Sequence, residues 1–196
     1  MPSSEPLIVL AGRLVDVAAG DVLKDRALVI DGDRIEDVLS ASEAPSGART
    51  IDLSDRTVLP GLIDSHAHLI GEMDVGQGYA YLVNRSSAQE ALTGVTNALA
   101  TLLGGVTTVR DVGTFHAFVD LALREAIDDG RIAGPRMMCA GAYVTCPGGG
   151  GDITGLPPGF PLPDELRVGV ATGADQVHAN VRRIFEAGAD FIKVLA

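Results

Sequence analysis

Four short apolar runs alternate with three helical stretches in residues 60–196, and that rhythm constrains the fold more than any single motif. The runs are GLIDSH (61–66), GVTTVRD (105–111), RMMCAG (136–141) and DFIKVLA (190–196). SSAQEALTGVTNALATLLGG (86–105) opens on a Ser cap, carries apolar residues at helical spacing and stops at Gly-Gly. FHAFVDLALREAIDDG (115–130) and TGADQVHANVRRIFEAG (172–188) follow the same plan and end at Gly130 and Gly188. The order β-α-β-α-β-α-β predicts an α/β chain with a parallel sheet and right-handed crossovers. Composition agrees. The chain is 46% apolar but only 4% aromatic, with no Trp, so its core is built from Val, Leu, Ile and Ala, as suits buried parallel strands.

Residues 7–59 read differently. LIVLAGRLVDV, ALVIDGDRIEDVLS and RTIDLSDRTVLP are short Val/Ile/Leu-rich runs separated by turn residues. Asp31-Gly32 is a hairpin signal. A small antiparallel layer is expected here, with the change of pattern at Pro60-Gly61 dividing the chain into residues 1–59 and 60–196. Two long insertions, 69–85 and the Pro/Gly-rich 142–171, each follow a strand. They therefore belong at the C-terminal edge of the sheet, where ligands bind in α/β folds.

Fifteen Lys and Arg against 26 Asp and Glu give a net charge of -11. That charge argues against a nucleic-acid partner and against binding to anionic membrane surfaces. Cys139 and Cys146 do not make a disulfide framework or a zinc knuckle. MPSSEPLIVLAGRLVDV has no basic region ahead of an apolar one, and no run of about 18 apolar residues occurs, so a cytoplasmic protein is expected.

His66 and His68 lie two apart at the end of the first parallel run. Residues i and i+2 of a strand share a face, so both imidazoles can reach one divalent cation. Two surface or core histidines would give the same tripeptide. Asp64, two residues upstream, is expected on that same face, orienting an imidazole or supporting it from behind. Lys193 sits among Phe191, Ile192, Val194 and Leu195. Burial of an ammonium favours the neutral amine, which combines with carbon dioxide to a carbamate able to bridge two metal ions. A lysine snorkelling from the strand end, or exposed at an open sheet edge, reads equally well from this heptapeptide. Asp111, ending the second run, pairs with Arg110 or supports the site from behind. His116 is placed to reach the rim, and His178 on a helix face. Cys146 and Asp152, in the second insertion, are placed to shape a substrate pocket.

VLPGLIDSHAHL, GVTTVRDVG and GADFIKVLA, in that order, resemble the metal-dependent amidohydrolase superfamily, in the branch of imidazolonepropionase-like enzymes and Xaa-Pro or Xaa-Arg dipeptidases. The resemblance runs from residue 7 to the last residue. It implies a (β/α)8 TIM barrel joined to a small β-sandwich, with residues 1–59 a portion of the sandwich and residues 60–196 supplying barrel strands one to four. It implies that His66 and His68 bind the more buried of two divalent ions, zinc being the expected metal, and that Lys193 is the carbamylated bridging ligand. The remaining histidines and the general-base aspartate of the family pattern would lie beyond Ala196. The chain thus reads as an N-terminal fragment, inactive by itself. In full-length form the implied activity is hydrolysis of an amide or other C–N bond in a dipeptide or N-acyl amino acid, with a homo-oligomer left open. The alternatives are a mononuclear deaminase-like enzyme, a lactone or phosphotriester hydrolase, or a non-catalytic piece that pairs with another chain.

Overall fold

A computed structural model describes residues 6–72 and 78–195. The chain divides into two compact units, Met1–Pro60 and Gly61–Ala196. In the first, four strands form one sheet: β1 (Leu7–Asp16), β2 (Asp21–Asp31), β3 (Arg34–Ser40) and β4 (Arg49–Val58), in the order β3-β2-β1-β4. The β2–β3 hairpin turns at Gly32, whose φ of 59° needs a residue without a Cβ. The expected all-antiparallel layer is corrected at its last strand. β1–β2 and β2–β3 are antiparallel, but β4 runs parallel to β1. A 3-10 turn at Ala41–Glu43 starts the connection that carries the chain past β2 and β1 to the free edge of β1. Ala11, Leu14 and Leu28 form the apolar centre of this unit.

The second unit begins with a parallel sheet of β5 (Leu62–Ala67), β6 (Val106–Asp111) and β7 (Arg136–Cys139). The third and fourth apolar runs are paired less regularly than the sequence suggests. The third breaks at Gly141 (φ 75°) and resumes as β8 (Tyr143–Val144), which pairs in parallel with the two-residue β9 (Lys193–Val194). The Asp190 N–H donates to the Cys139 carbonyl at 2.9 Å, so the fourth run follows the third across the break.

The helices are α1 (Tyr79–Val83), α2 (Ser87–Leu103), α3 (Val119–Asp128) and α4 (Ala174–Glu186). α2 starts at a capping box, in which Gln89 N–H donates to Ser86 Oγ at 3.3 Å and Ser86 N–H donates to Gln89 Oε1 at 2.9 Å. α3 starts later than residue 115 because Phe118 takes a left-handed φ of 70° and its N–H is spent on the Gly141 carbonyl at 2.8 Å. α2 and α3 cover one face of the sheet, burying Leu69, Ala98, Val109, Leu121, Leu123 and Met137. α4 packs Ile184 against Val144, Val168 and Ala189.

The two insertions pack on one another. Tyr81 and Leu82 of α1 meet Ile153 and Leu166, the latter in a 3-10 turn at Asp164–Arg167. Residues 73–77 of the first insertion and Ala196 of the last run lie outside the described residues. Among the described residues, no helix is long and apolar enough to cross a membrane.

Candidate metal centre

β5 ends in a register shift between Asp64 and Ala67, where three steps on β5 match two on β6. Such a bulge re-aims the side chains that follow it. Beyond it, Ala67 and Leu69 enter the core while His66 and His68 are exposed. The two imidazoles stand edge to face with centroids 5.6 Å apart. Asp64 makes no hydrogen bond to either ring. Its Oδ1 accepts the His66 backbone N–H at 2.9 Å, so it fixes the bulge.

His68 is held from behind. Its Nδ1 lies 2.9 Å from the Gly113 carbonyl oxygen and 3.2 Å from the Tyr143 hydroxyl, and that hydroxyl donates to the same carbonyl at 2.8 Å. A carbonyl can only accept. The Tyr143 hydrogen is spent on it, so the phenol oxygen faces Nδ1 as a second acceptor. Nδ1 therefore carries the proton, and the lone pair of the neutral ring is on Nε2, free for a cation. Burial, with the charges of Asp111 and Asp120 behind it, pushes the Tyr143 phenol well above its usual range, so it stays a donor. Tyr143 is absent from the sequence-derived set. The available signal was a tyrosine closing an apolar run at the sheet's C-terminal edge.

Asp111 is wholly buried and its oxygens accept the N–H groups of Leu69 (2.9 Å) and Gly113 (3.1 Å). It thereby ties the residue after His68 to the residue whose carbonyl holds His68. The ion pair with Arg110 does not form. Neighbouring strand residues point to opposite faces, and the Arg110 guanidinium instead lies over the Phe191 ring at 4.1 Å. Burial pushes the Asp111 carboxyl up to about 6, opposed by its two N–H donors. Asp120, also missed from sequence, is pushed up to about 7, by burial first and then by the charge of Asp111. It accepts the N–H of Gly141 at 2.8 Å, at the break between β7 and β8.

Lys193 is half-buried at the start of β9, not in the middle of a buried strand. Its register partner is Tyr143. Directly paired residues share a sheet face, so Lys193 leaves the sheet on the side from which the Tyr143 phenol reaches His68. His116 does not reach this group. It is 2% exposed, with Nε2 at 3.1 Å from the Leu82 carbonyl and Nδ1 at 3.3 Å from Glu165, and it clamps the two insertions together. Asp152 is buried and closes its own loop through the Gly148 N–H (3.0 Å) and Arg167 (3.4 Å). Cys146 is exposed on that loop, and His178 is exposed on α4. A cavity of about 850 Å³ opens beside His68, lined also by Ile70, Glu72, Asn97, Phe115 and Tyr143.

The amidohydrolase family profile matches residues 57–196. The chain belongs to the amidohydrolase family. Ochratoxinase of Aspergillus niger is 30% identical over 204 residues, a match that covers 96% of this chain and 42% of that protein. Imidazolonepropionase of Paenarthrobacter aurescens is 51% identical over 49 residues, 25% of this chain and 12% of the relative. Among solved structures, a Xaa-Pro dipeptidase with bound methionine in its active site superposes with a TM-score of 0.82 at 32% identity, covering 96% of this chain and 46% of the other. This amidohydrolase chain thus spans less than half the length of the relatives it matches most fully.

Amidohydrolases are generally metal-dependent, and the donors here suit a divalent ion. Two imidazoles sharing a tetrahedral ion at about 2.0–2.1 Å from nitrogen have ring centroids roughly 5 Å apart, close to the 5.6 Å observed. The tethered Nδ1 of His68 is the second support that metal-binding histidines almost always carry. Among the described residues, no three His, Cys, Asp or Glu side chains gather as a ligand set.

Proposed function

We propose that this chain supplies the metal-binding half of a hydrolase that cleaves an amide or related C–N bond in a dipeptide or N-acyl amino acid. The observation that carries the reading is the His68 imidazole, fixed through Nδ1 so that Nε2 is offered to a cation beside His66. In this reading residues 1–59 belong to a β-sandwich and residues 60–196 form strands one to four of a (β/α)8 barrel. His66 and His68 hold one zinc, and Lys193, as a carbamate, reaches a second. The amidohydrolase relatives, the dipeptidase among them, support the bond class. The two unpaired cysteines suit a reducing compartment such as the cytoplasm.

Divalent ions, when bound, polarise a carbonyl and acidify water. The chain's own residues do the rest. Gly113 and Tyr143 keep the His68 lone pair outward, Asp111 holds the Gly113 and Leu69 peptides in place, and the cavity beside Phe115 and Ile70 receives the apolar part of a substrate. In this reading the loop that carries Cys146 and Asp152, which follows Tyr143, shapes the substrate pocket.

The test is elemental analysis of the full-length protein with labelled carbon dioxide. Two metals per chain and a labelled carbamate on Lys193 are expected, with metal and turnover on dipeptides both lost in His68→Ala. One metal with unmodified Lys193 would support the mononuclear, deaminase-like alternative. Full metal and normal turnover in His68→Ala would remove the histidine pair from the chemistry.

A further inference from the structure

Resting on His68 as a metal-binding residue, we propose that Tyr143 is a positioning residue of the centre, bracing the Gly113 carbonyl that holds the His68 imidazole as Nδ1–H and seating the lysine strand through its backbone. Three atoms meet within hydrogen-bond distance: His68 Nδ1, the Gly113 oxygen and the Tyr143 hydroxyl, at 2.9, 3.2 and 2.8 Å. The opposite tautomer would turn the Nδ1 lone pair toward the carbonyl oxygen, acceptor against acceptor at 2.9 Å. If the phenol then donated to Nδ1, the carbonyl would lose both of its donors. A buried acceptor without a donor costs about 1–3 kcal/mol, so the arrangement selects one tautomer. An imidazole in water prefers the other, with its proton on Nε2, which blocks that nitrogen as a ligand.

The ring and backbone of Tyr143 do separate work. The ring stands edge to face against Phe115 (4.9 Å between centroids) and against His68 (6.1 Å). The backbone pairs with Lys193, and the next two residues extend the hold: Val144 accepts the Leu195 N–H at 2.9 Å, and Thr145 Oγ1 donates to the Leu195 carbonyl at 2.7 Å. Gly113 makes the contact achievable. Its φ of 106° aims the carbonyl at His68, and a Cβ there would come within 3.0 Å of the Tyr143 ring.

Tyr143→Phe removes the hydroxyl and leaves ring and backbone in place. The chain has four histidines, so long-range ¹H–¹⁵N spectra of the metal-free chain can be assigned with His68→Ala. Wild-type His68 is expected as Nδ1–H, and Tyr143→Phe likewise, because the Gly113 carbonyl still faces Nδ1. Zinc titration should show affinity reduced about 10–100-fold in Tyr143→Phe, with the urea unfolding midpoint recorded to verify that the variant is folded. Wild-type His68 protonated on Nε2, or an unchanged zinc affinity in folded Tyr143→Phe, overturns the inference. A wild-type chain that takes up no zinc while His68 is Nδ1–H would defeat the metal assignment and leave the hydrogen-bonded placement of His68 standing.

Discussion

His68 and Asp111 differ in how far sequence could take them. The i, i+2 spacing predicts both histidine rings on one side, from the period of two in a strand, and the ring centroids stand 5.6 Å apart although His68 lies just past the end of β5. Nothing local to Asp111 could reveal its partners, since they are backbone N–H groups of Leu69 and Gly113, brought in by strand pairing. Asp120 was hidden for the same reason, its partner being the backbone N–H of Gly141. Asp111 and Asp120 carry a consequence for pH. Both carboxyls are raised by burial, to about 6 and about 7. Between about pH 4 and pH 7 the folded chain keeps protons that the unfolded chain has released. Their contribution to stability is therefore fullest below pH 4 and is lost as pH rises through 6 to 7. For Asp111, a rise from 3.8 to about 6 corresponds to about 3 kcal/mol. Urea unfolding from pH 5 to pH 8 should show wild-type stability falling relative to an Asp111→Asn, Asp120→Asn double variant. A pH-independent difference between the two proteins would mean that these carboxyls do not titrate in that range.

At the level of elements, patterns that rest on local chemistry were legible and patterns that rest on pairing were not. The Ser cap and the Gly-Gly stop placed α2 within a residue or two of Ser87–Leu103. The start of α3 was misread because the left-handed Phe118 and the buried His116 are set by contacts with other segments. The direction of β4 was misread because register and strand order are decided by the face each strand must bury, and a short connection does not encode them. The α2 cap gives a clean test of the local part. Ser86 accepts the Gln89 N–H and Gln89 answers it, so Ser86→Ala removes one partner of an exposed helix end. The expected loss is about 1 kcal/mol in urea unfolding, with zinc affinity unchanged because His68 is held by residues 113 and 143. A loss of zinc affinity in this variant would show that α2 supports the centre as well as the sheet.

On the scale of the whole molecule, apolar surface and net charge pull in opposite directions. Ile63 is 73% exposed and Leu62 52% exposed on β5, which stands at an edge of the three-stranded sheet. Leu92, Leu99 and Leu103 leave α2 uncovered on one side, at 70%, 44% and 78%. Apolar surface of this kind on a sheet edge and a helix face favours association. The charge of -11 opposes it, through repulsion that acts over about 10 Å at 0.1 M salt and about 3 Å at 1 M. The 196-residue chain by itself should therefore be largely dispersed at low salt and associate increasingly as salt is raised, while binding an apolar dye in both conditions. Light scattering at fixed protein concentration across that salt range decides it. The same residues within a full-length protein, where further barrel strands would cover β5, should show neither salt-driven association nor dye binding. A chain that stays monomeric in high salt, leaves the dye unbound and unfolds in one sharp step would show that the exposed leucines and isoleucines need no cover, and the half-barrel reading would fall.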